Sequence, residues 1–546
     1  MTVSAPTPAV YRRRRTAGVL GLLGVAAIVA IVVVSLVGGN RGAGSGGGPG
    51  GATAVIPADA LAYVDVDIDR KDPAVTQGLE VARRLPDFPL LGAAVAGRLG
   101  AVLGDGRSVD FTTDVSPWLG GHAALALLNT TTSTAGALIV VGVSDPGRAR
   151  SSLRSVGARA HGSYRGHGLL AAPNGDELAF AGGELLIGQD ATVRAALDVA
   201  AGARRSLAAS ATYRRATAGQ GSGSLLDAYA SAAGVHRVLA DQSGILGAVG
   251  GLLSQAALQG VAIALTPTQK GAAIRIHSAL DPALAKLGPD GAPPAAFVPS
   301  LPALMPATSS LLLDVANLAR VAPTVLNAGS AAGLAGGIGP LLVRLGSALH
   351  SEGVNVSDLI SIFRHEAALA VVGGGQSPTL VVVARTTNQP RTQHELAQLE
   401  APLARLFSTP GKSQSSEPVF NDRQLGAVTV HQLQLAAGFQ LDYAVFHGLV
   451  VISTGLAGIQ DLAQQKRSLA RDPGFAAVLG GQTRPVTSLV FANVAGLLAG
   501  TRQSGTTGGS LAARLMPDLR KVTGVGLTST RGAADATTQV TVAVRP

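Results

Sequence analysis

The chain of 546 residues contains no cysteine. Disulfides, thiolate metal centres, cysteine nucleophiles and a lipidated cysteine are thereby excluded, and any folded part must be held by packing alone. Aromatic residues make up 3% and Trp118 is the single tryptophan, so the core must be built from Ala, Leu and Val, which the 47% apolar content allows. Lysine is scarce beside arginine. The net charge is +10, and half of it comes from Arg12, Arg13, Arg14, Arg15 and Arg41, ahead of the first acidic residue at Asp59. No dense basic cluster with interleaved aromatics follows, which argues against nucleic-acid binding.

Long uncharged runs are rare too, and one of them stands out. Residues 17–37 are apolar and directly follow Arg12 to Arg15. At ~1.5 Å rise per residue such a run makes about 32 Å of helix, one hydrocarbon thickness. Four arginines on its N-terminal flank, against Arg41 on the other, predict a cytoplasmic N-terminus with the bulk of the chain outside. A cleaved signal peptide is the main alternative, but its apolar region would be shorter, and Ser35-Leu36-Val37 is a poor cleavage site. A buried core helix is the third reading. We take 17–37 as an uncleaved signal anchor, which makes the cell membrane the chain's first partner.

A Gly-rich stretch, 38–54, reads as a flexible tether with a reach of roughly 20 Å over fourteen residues. Prolines at 289, 293, 294, 299 and 302 mark a second irregular linker, 287–305. The expected organisation is a basic N-terminus at 1–16, a transmembrane helix at 17–37, an exported lobe at 55–286 and a second exported lobe at 306–546.

The two lobes share an ordered series of units. Pro57-Ala58 leads to Ala62-Tyr63-Val64-Asp65-Val66, and Pro306-Ala307 leads to Leu311-Leu312-Leu313-Asp314-Val315. His122-Ala123-Ala124-Leu125-Ala126 resembles His365-Glu366-Ala367-Ala368-Leu369-Ala370, each followed by an apolar strand. Two hairpins turning at Gly183 and Gly448 match, as do Ser206-Leu207-Ala208 before Tyr213 and Ser468-Leu469-Ala470 before Phe475. A closing hairpin, 261–265 with 272–276, corresponds to 525–528 with 537–544. The second lobe is longer, mostly between Leu406 and Asp442. This recurrence reads as an internal duplication. Strands outnumber helices and most are joined by hairpins. The expected fold class is α+β: an N-terminal transmembrane helix, then two related lobes with largely antiparallel sheets covered by helices.

The string Ile56-Pro57-Ala58-Asp59-Ala60-Leu61-Ala62-Tyr63-Val64-Asp65 resembles the opening of the bacterial domain-of-unknown-function 3352 family. So does Ala179-Phe180-Ala181-Gly182-Gly183-Glu184-Leu185-Leu186-Ile187-Gly188 followed by Ser206-Leu207-Ala208, and the unit from Tyr443 to Ile452 with Ser468-Leu469-Ala470 fits the same pattern. The resemblance implies a short basic N-terminus, one span and a long exported region. It implies no activity, and it carries over no catalytic residue.

Sites of known chemistry are missing their parts. No serine has glycine two residues before and two after it, as a nucleophile elbow requires; Gly375-Gln376-Ser377 has only the first. His365-Glu366 and His394-Glu395 lack a second histidine four residues on, since Leu369 and Gln398 stand there. Asp65, Asp67 and Asp69 alternate as in a calcium loop, but Arg70 and Thr76 replace the required glycine and glutamate. Period-two spacing instead sends these acids to solvent and Val64, Val66 and Ile68 inward. Gly411-Lys412-Ser413 ends like a phosphate loop, but Leu406 occupies the first glycine's place. His161 and His167, flanking Tyr164, belong to an exposed loop or edge strand. Catalytic, cofactor-binding and metal residues are therefore expected to be none.

Two uncharged or nearly uncharged segments rich in Gly, Ala and Leu, 245–258 and 331–349, read as helices packed on a sheet. They would alternatively cover a cavity for a lipid or other apolar ligand, or form a contact surface for an envelope protein or the membrane. The leading expectation is a single-pass, membrane-anchored extracytoplasmic protein with a non-catalytic binding or scaffolding role. A carrier or sensor for an apolar ligand is the second, and an enzyme with an unrecognised site the third.

Overall fold

The computed structural model describes residues 51–85, 114–129, 135–221, 223–239, 256–285, 294–318, 363, 365–373, 379–406, 419–436, 439–464, 467–497, 518 and 520–546. The anchor 17–37 lies outside them, as does 331–349 and all of 245–258 except its last residues. No helix among the described residues is long and apolar enough to cross a membrane.

The first half runs β1 (Ala62–Asp67), α1 (Pro73–Ala82), β2 (Leu119–Asn129), β3 (Ala135–Val143), α2 (Pro146–Ser155), β4 (Arg159–Tyr164), β5 (His167–Ala171), β6 (Glu177–Ala181), β7 (Glu184–Gly188), α3 (Asp190–Ala200), α4 (Ala211–Ala216), β8 (Leu226–Ser231), α5 (Ala232–Leu239), β9 (Leu258–Thr268) and β10 (Gly271–Leu280). The second runs β11 (Ser309–Val315), β12 (Ala367–Val372), β13 (Thr379–Arg385), α6 (Gln389–Leu406), β14 (Phe420–Leu425), β15 (Val428–Ala436), β16 (Phe439–Phe446), β17 (Leu449–Ser453), α7 (Leu456–Ala463), α8 (Pro473–Leu479), β18 (Ser488–Ala492), β19 (Val522–Arg531) and β20 (Asp535–Val544).

All described pairings are antiparallel. The first half has the order β4-β5-β6-β7-β3-β2-β1-β8-β9-β10. The second repeats it as β14-β15-β16-β17-β13-β12-β11-β18-β19-β20. Two sheets would have left β10 and β20 as long open edges. Instead the two strands pair, from Gly271 opposite Ala543 to Ala279 opposite Asp535, and one 20-stranded sheet results. An edge strand presents a row of unpaired N–H and C=O groups, and mutual pairing satisfies both rows at once.

Local chemistry explains the element boundaries. Asp-Pro pairs open α1, α2 and α8: Asp72, Asp145 and Asp472 each accept a backbone N–H of the first turn, while the following proline needs no partner there. The hairpins β6–β7 and β16–β17 turn through two left-handed residues, Gly182 (φ 62°) with Gly183 (φ 86°), and His447 (φ 50°) with Gly448 (φ 72°). Such a two-residue turn matches the twist of the strands it joins. The greater length of the second half is visible in β15 and β16, within or beside the stretch from Leu406 to Asp442, and also before it, in α6. Helix α6 has 18 residues against 10 in α2, and β15 and β16 have 9 and 8 where β5 and β6 have 5 each.

A one-turn 3₁₀ helix precedes the first strand of each half, Ala52–Ala54 and Leu301–Ala303. Both fall inside stretches expected to be linkers, yet Ala52, Leu301 and Met305 are fully buried. The chain then bridges to a second 3₁₀ helix, through Pro57 to Ser206 ahead of Leu207–Ala209, and through Pro306 to Ser468 ahead of Leu469–Arg471. Beneath them the cores match as well. Tyr213 meets Tyr229 edge-on at 5.2 Å, and Phe475 meets Phe491 edge-on at 5.2 Å. The opposite face of the first half is covered by α1 over Val64, Val66 and Ile68, and by α2 over Leu178, Leu185 and Ile187.

Thr541 sits on β20 between Ala273 of β10 and Gly526 of β19. Thr541→Pro removes a ladder donor from a strand paired on both sides and should cost roughly 3 kcal/mol. Trp118 reports on the first half alone. In the parent its fluorescence and far-ultraviolet circular dichroism should unfold at one denaturant midpoint, and in the variant the two midpoints should separate.

Candidate functional site

The first strand of each half carries an aspartate, and alternation would turn it to solvent. The structure corrects that expectation for Asp65, which is 5% exposed, and Asp67 is half-buried; Asp69 alone of the three is exposed. The reason is that β1 lies between β2 and β8 with helices over both faces, so neither face of the strand meets water. Asp314 on β11, paired on both sides by β12 and β18, is 0% exposed. Burying an isolated charge is costly, so each aspartate needs partners or must stay protonated.

In the first half Asp65 accepts hydrogen bonds from the Val66 N–H at 2.9 Å and the Tyr63 hydroxyl at 2.7 Å. Burial still raises its pKa, and the positive charge of His122 only partly opposes this. His122 is 5% exposed, and its Nε2 stands 3.2 Å from Glu184 Oε1 on β7. That is the distance of an ion pair, although the angle is not that of a hydrogen bond. Burial opposes protonation of His122, and Glu184, Asp65 and Asp67 together outweigh it, so its pKa is raised. Asp67 is pushed up to about 6, chiefly by burial. Directly across from Asp65 on β8, Asp227 accepts from the Ser224 hydroxyl at 2.5 Å, and its pKa too is raised by burial. Gly51, where the chain enters the fold, lies against this group: a Cβ there would stand 3.1 Å from Glu184 Oε1 and 3.2 Å from His122 Cε1.

The second half keeps the place and permutes the charges. Asp65 pairs with Ala124 and Asp314 with Ala368, so strand register makes Glu366, not His365, the counterpart of His122. The sequence match between the two histidines is therefore displaced by one residue, and His365 is exposed. Glu366 caps the 3₁₀ helix at Leu301. It accepts the N–H groups of Ser300 and Leu301, the latter at 2.8 Å, and the Ser300 hydroxyl, and it takes Arg385 Nε at 3.1 Å. Arg385 Nε also lies 2.8 Å from Ser300 Oγ. Neither oxygen of Asp314 has a hydrogen-bond partner of good geometry among the described residues. Burial first, and then the negative charge of Glu366, push Asp314 up to about 9, so it is a neutral acid at pH 7.

Both groups fasten the incoming chain to the sheet, Gly51 to Ala54 in one half and Ser300 to Ala303 in the other. No group of three or more His, Asp or Glu with metal-binding geometry occurs among the described residues. A cavity lined by Leu153, Val156, Ala158, Ala172, Pro173, Leu178 and Ile187 lies on the other face, with about 10 Å³ of free space, room for about one water. The remaining sequence candidates stay apart. His394 is exposed beside Gln398, and Glu395 pairs with Arg391 at 2.7 Å on α6. His161 and His167 sit on the β4–β5 hairpin at the sheet edge, bonded to Glu177 at 3.1 Å and to the Phe180 carbonyl at 2.9 Å. Ser377 and Gly411 to Ser413 lie outside the described residues. Sequence reasoning missed His122 and Arg385 as neighbours of the buried aspartates, and Glu184 as the partner of His122; the recurrence of Asp65 and Asp314 at one position of both halves was the available signal.

These features define an α+β protein on one antiparallel sheet, with paired polar clusters that hold the incoming chain of each half. The chain belongs to DUF3352, a family described as proteins of unknown function, whose model matches residues 16–545. Among solved structures it is distantly similar to TP0453. Crystal form III gives a TM-score of 0.27 at 11% identity, covering 45% of this chain and 84% of that one. Form I gives 0.26 at 11% identity, covering 45% and 88%. Among curated proteins none matches.

Asp314 yields a pH test. Its folded pKa of about 9 lies above the ordinary carboxylate value, so between roughly pH 4 and pH 9 the folded state holds a proton that the unfolded state has lost. The contribution of this group to stability therefore falls as pH rises through that window. Asp314→Asn removes the titration. It should become increasingly stabilising relative to the parent from pH 5 to pH 8, with ~4 kcal/mol at pH 7 as an upper bound. Denaturant unfolding at both pH values checks this.

Proposed function

We propose that the chain is a single-pass, membrane-anchored extracytoplasmic protein with a non-catalytic binding or scaffolding role in the cell envelope. The observation that carries this reading is the uncharged run 17–37 behind Arg12 to Arg15, followed by a Gly-rich tether that ends where the fold begins, at Gly51 and Ala52. The buried charged groups support the non-catalytic part. Glu366 spends its oxygens on capping a helix and on Arg385, and His122 and Glu184 are packed against the entering chain, so these groups serve the fold rather than a substrate. The identical strand order of the two halves supports an origin by duplication.

The topology is tested by fusing alkaline phosphatase, active only outside the cytoplasm, after Pro546. Activity is expected, with the fusion staying in the membrane pellet after an alkaline carbonate wash. An intact but inactive fusion overturns the orientation, and release by the wash overturns the anchor.

A further inference from the structure

We propose that the corner of the fold formed by Arg205, Arg214 and Arg215 is a docking surface for anionic phospholipid headgroups, which lays the first half against the membrane. The inference rests on the anchored topology proposed above. Its starting observation is where the tether arrives. After Ala52–Ala54 the chain runs beside residues 205–207: the Ala58 N–H bonds the Arg205 carbonyl at 2.9 Å, and the Leu207 N–H bonds the Ile56 carbonyl at 2.7 Å. The surface around Arg205 is thus held next to the point where the tether joins the fold, and the tether spans only roughly 20 Å.

Among the described residues, Arg205, Arg214 and Arg215 have no carboxylate partner. Arg204 is paired with Asp59 at 3.0 Å. Arg205 and Arg214 instead direct their guanidinium groups at one carbonyl, that of Ala209, at 3.1 Å and 2.9 Å. Two like charges converge there with no carboxylate between them. The side chain of Arg215, exposed on the same helix as Arg214, makes no hydrogen bond or ion pair among the described residues. Phosphate oxygens suit such a cluster, because a guanidinium binds them through two parallel N–H groups.

The second half supplies an internal control. Aligning Ser206-Leu207-Ala208 and Tyr213 with Ser468-Leu469-Ala470 and Phe475 puts Ala476 and Ala477 where Arg214 and Arg215 stand, and Asp472 where Ser210 stands. The same register puts Arg467 where Arg205 stands and Arg471 where Ala209 stands, so the second half's corner keeps basic residues but lacks the arginine pair of α4, and Asp472 is added beside it. Folding does not require the arginine pair, since α8 forms with alanines in their place. The Arg214–Arg215 pair is thus particular to the half that carries the tether, where the proposed anchor puts a bilayer within reach.

The cysteine-free chain permits a single-site label at Ala218→Cys, an exposed position just past α4. The full-length protein is reconstituted in phosphatidylcholine vesicles, with or without phosphatidylglycerol, and quenching by a headgroup-labelled lipid is measured. Strong quenching is expected only with phosphatidylglycerol, and it should fade as salt shortens the Debye length. Arg214→Ala with Arg215→Ala should lower the docked-to-undocked ratio by roughly 25-fold, at about 5-fold per arginine. Equal quenching in both vesicle types, or none while the protein floats with the vesicles, overturns the docking surface and leaves the anchor standing. Protein that does not float with the vesicles overturns the anchored topology and the docking surface with it.

Discussion

The pairing of β10 with β20 is the contact on which the rest of the architecture depends. Each half, taken alone, ends in a strand of ten residues whose outer backbone groups have no partner within that half. Hairpin contacts build each half from near neighbours in sequence, but this ladder joins residues 271–279 to 535–543, the far ends of the two halves. Once it forms, the only open edges left among the described strands are β4 and β14. Those two strands suit the position. Both are exposed along most of their length, β4 carries an irregularity between Ala160 and Ser163, and β14 carries Asp422 and Arg423, features that discourage further pairing. Long strands meet in the middle and short, exposed, charged ones lie at the rims.

Much of this was legible in the sequence, and the limits of legibility have physical causes. Hairpins at Gly183 and Gly448 were readable because a two-residue turn demands left-handed backbone, which glycine adopts freely. The antiparallel class and the matched series of units were readable because apolar alternation is local. The join of β10 to β20 was not, since partner choice between remote strands leaves no mark on either strand alone. Alternation misplaced Asp65 because it assumes that one face of a strand is wet, and β1 has helices on both. The histidine match failed for a smaller reason: the second half has His365 directly before Glu366, and only register distinguishes which of the two takes the inward position.

The permuted polar clusters show what the duplicated fold requires and what it leaves free. Both halves keep a buried aspartate on the first strand and a 3₁₀ helix before it. The first surrounds its aspartate with a histidine and a second carboxylate; the second surrounds it with a carboxylate, an arginine and a serine. The residue types at the two places differ, so no one set of charged groups is the common requirement. What both arrangements share is a polar residue at the second position of the group, His122 or Glu366, against the residue that starts the helix, Gly51 or Ser300. In the second half this contact is a cap made of two backbone donors, and in the first it is close packing against a glycine.

That difference bears on how the two halves respond to pH. The Glu366 cap is a charge-assisted contact reinforced by Arg385, and the neutral state of Asp314 avoids placing a second negative charge beside it. The His122 contact depends instead on a group whose raised pKa lies above the ordinary histidine value, so its stabilising charge is fully present below about pH 6.5 and is lost as pH rises through the folded value. Where the first half receives its incoming chain, stability therefore weakens towards alkaline pH through His122, while in the second half the same rise in pH strains the fold through Asp314. The contributions of His122 and of Asp314 are thus both larger on the acidic side of neutrality.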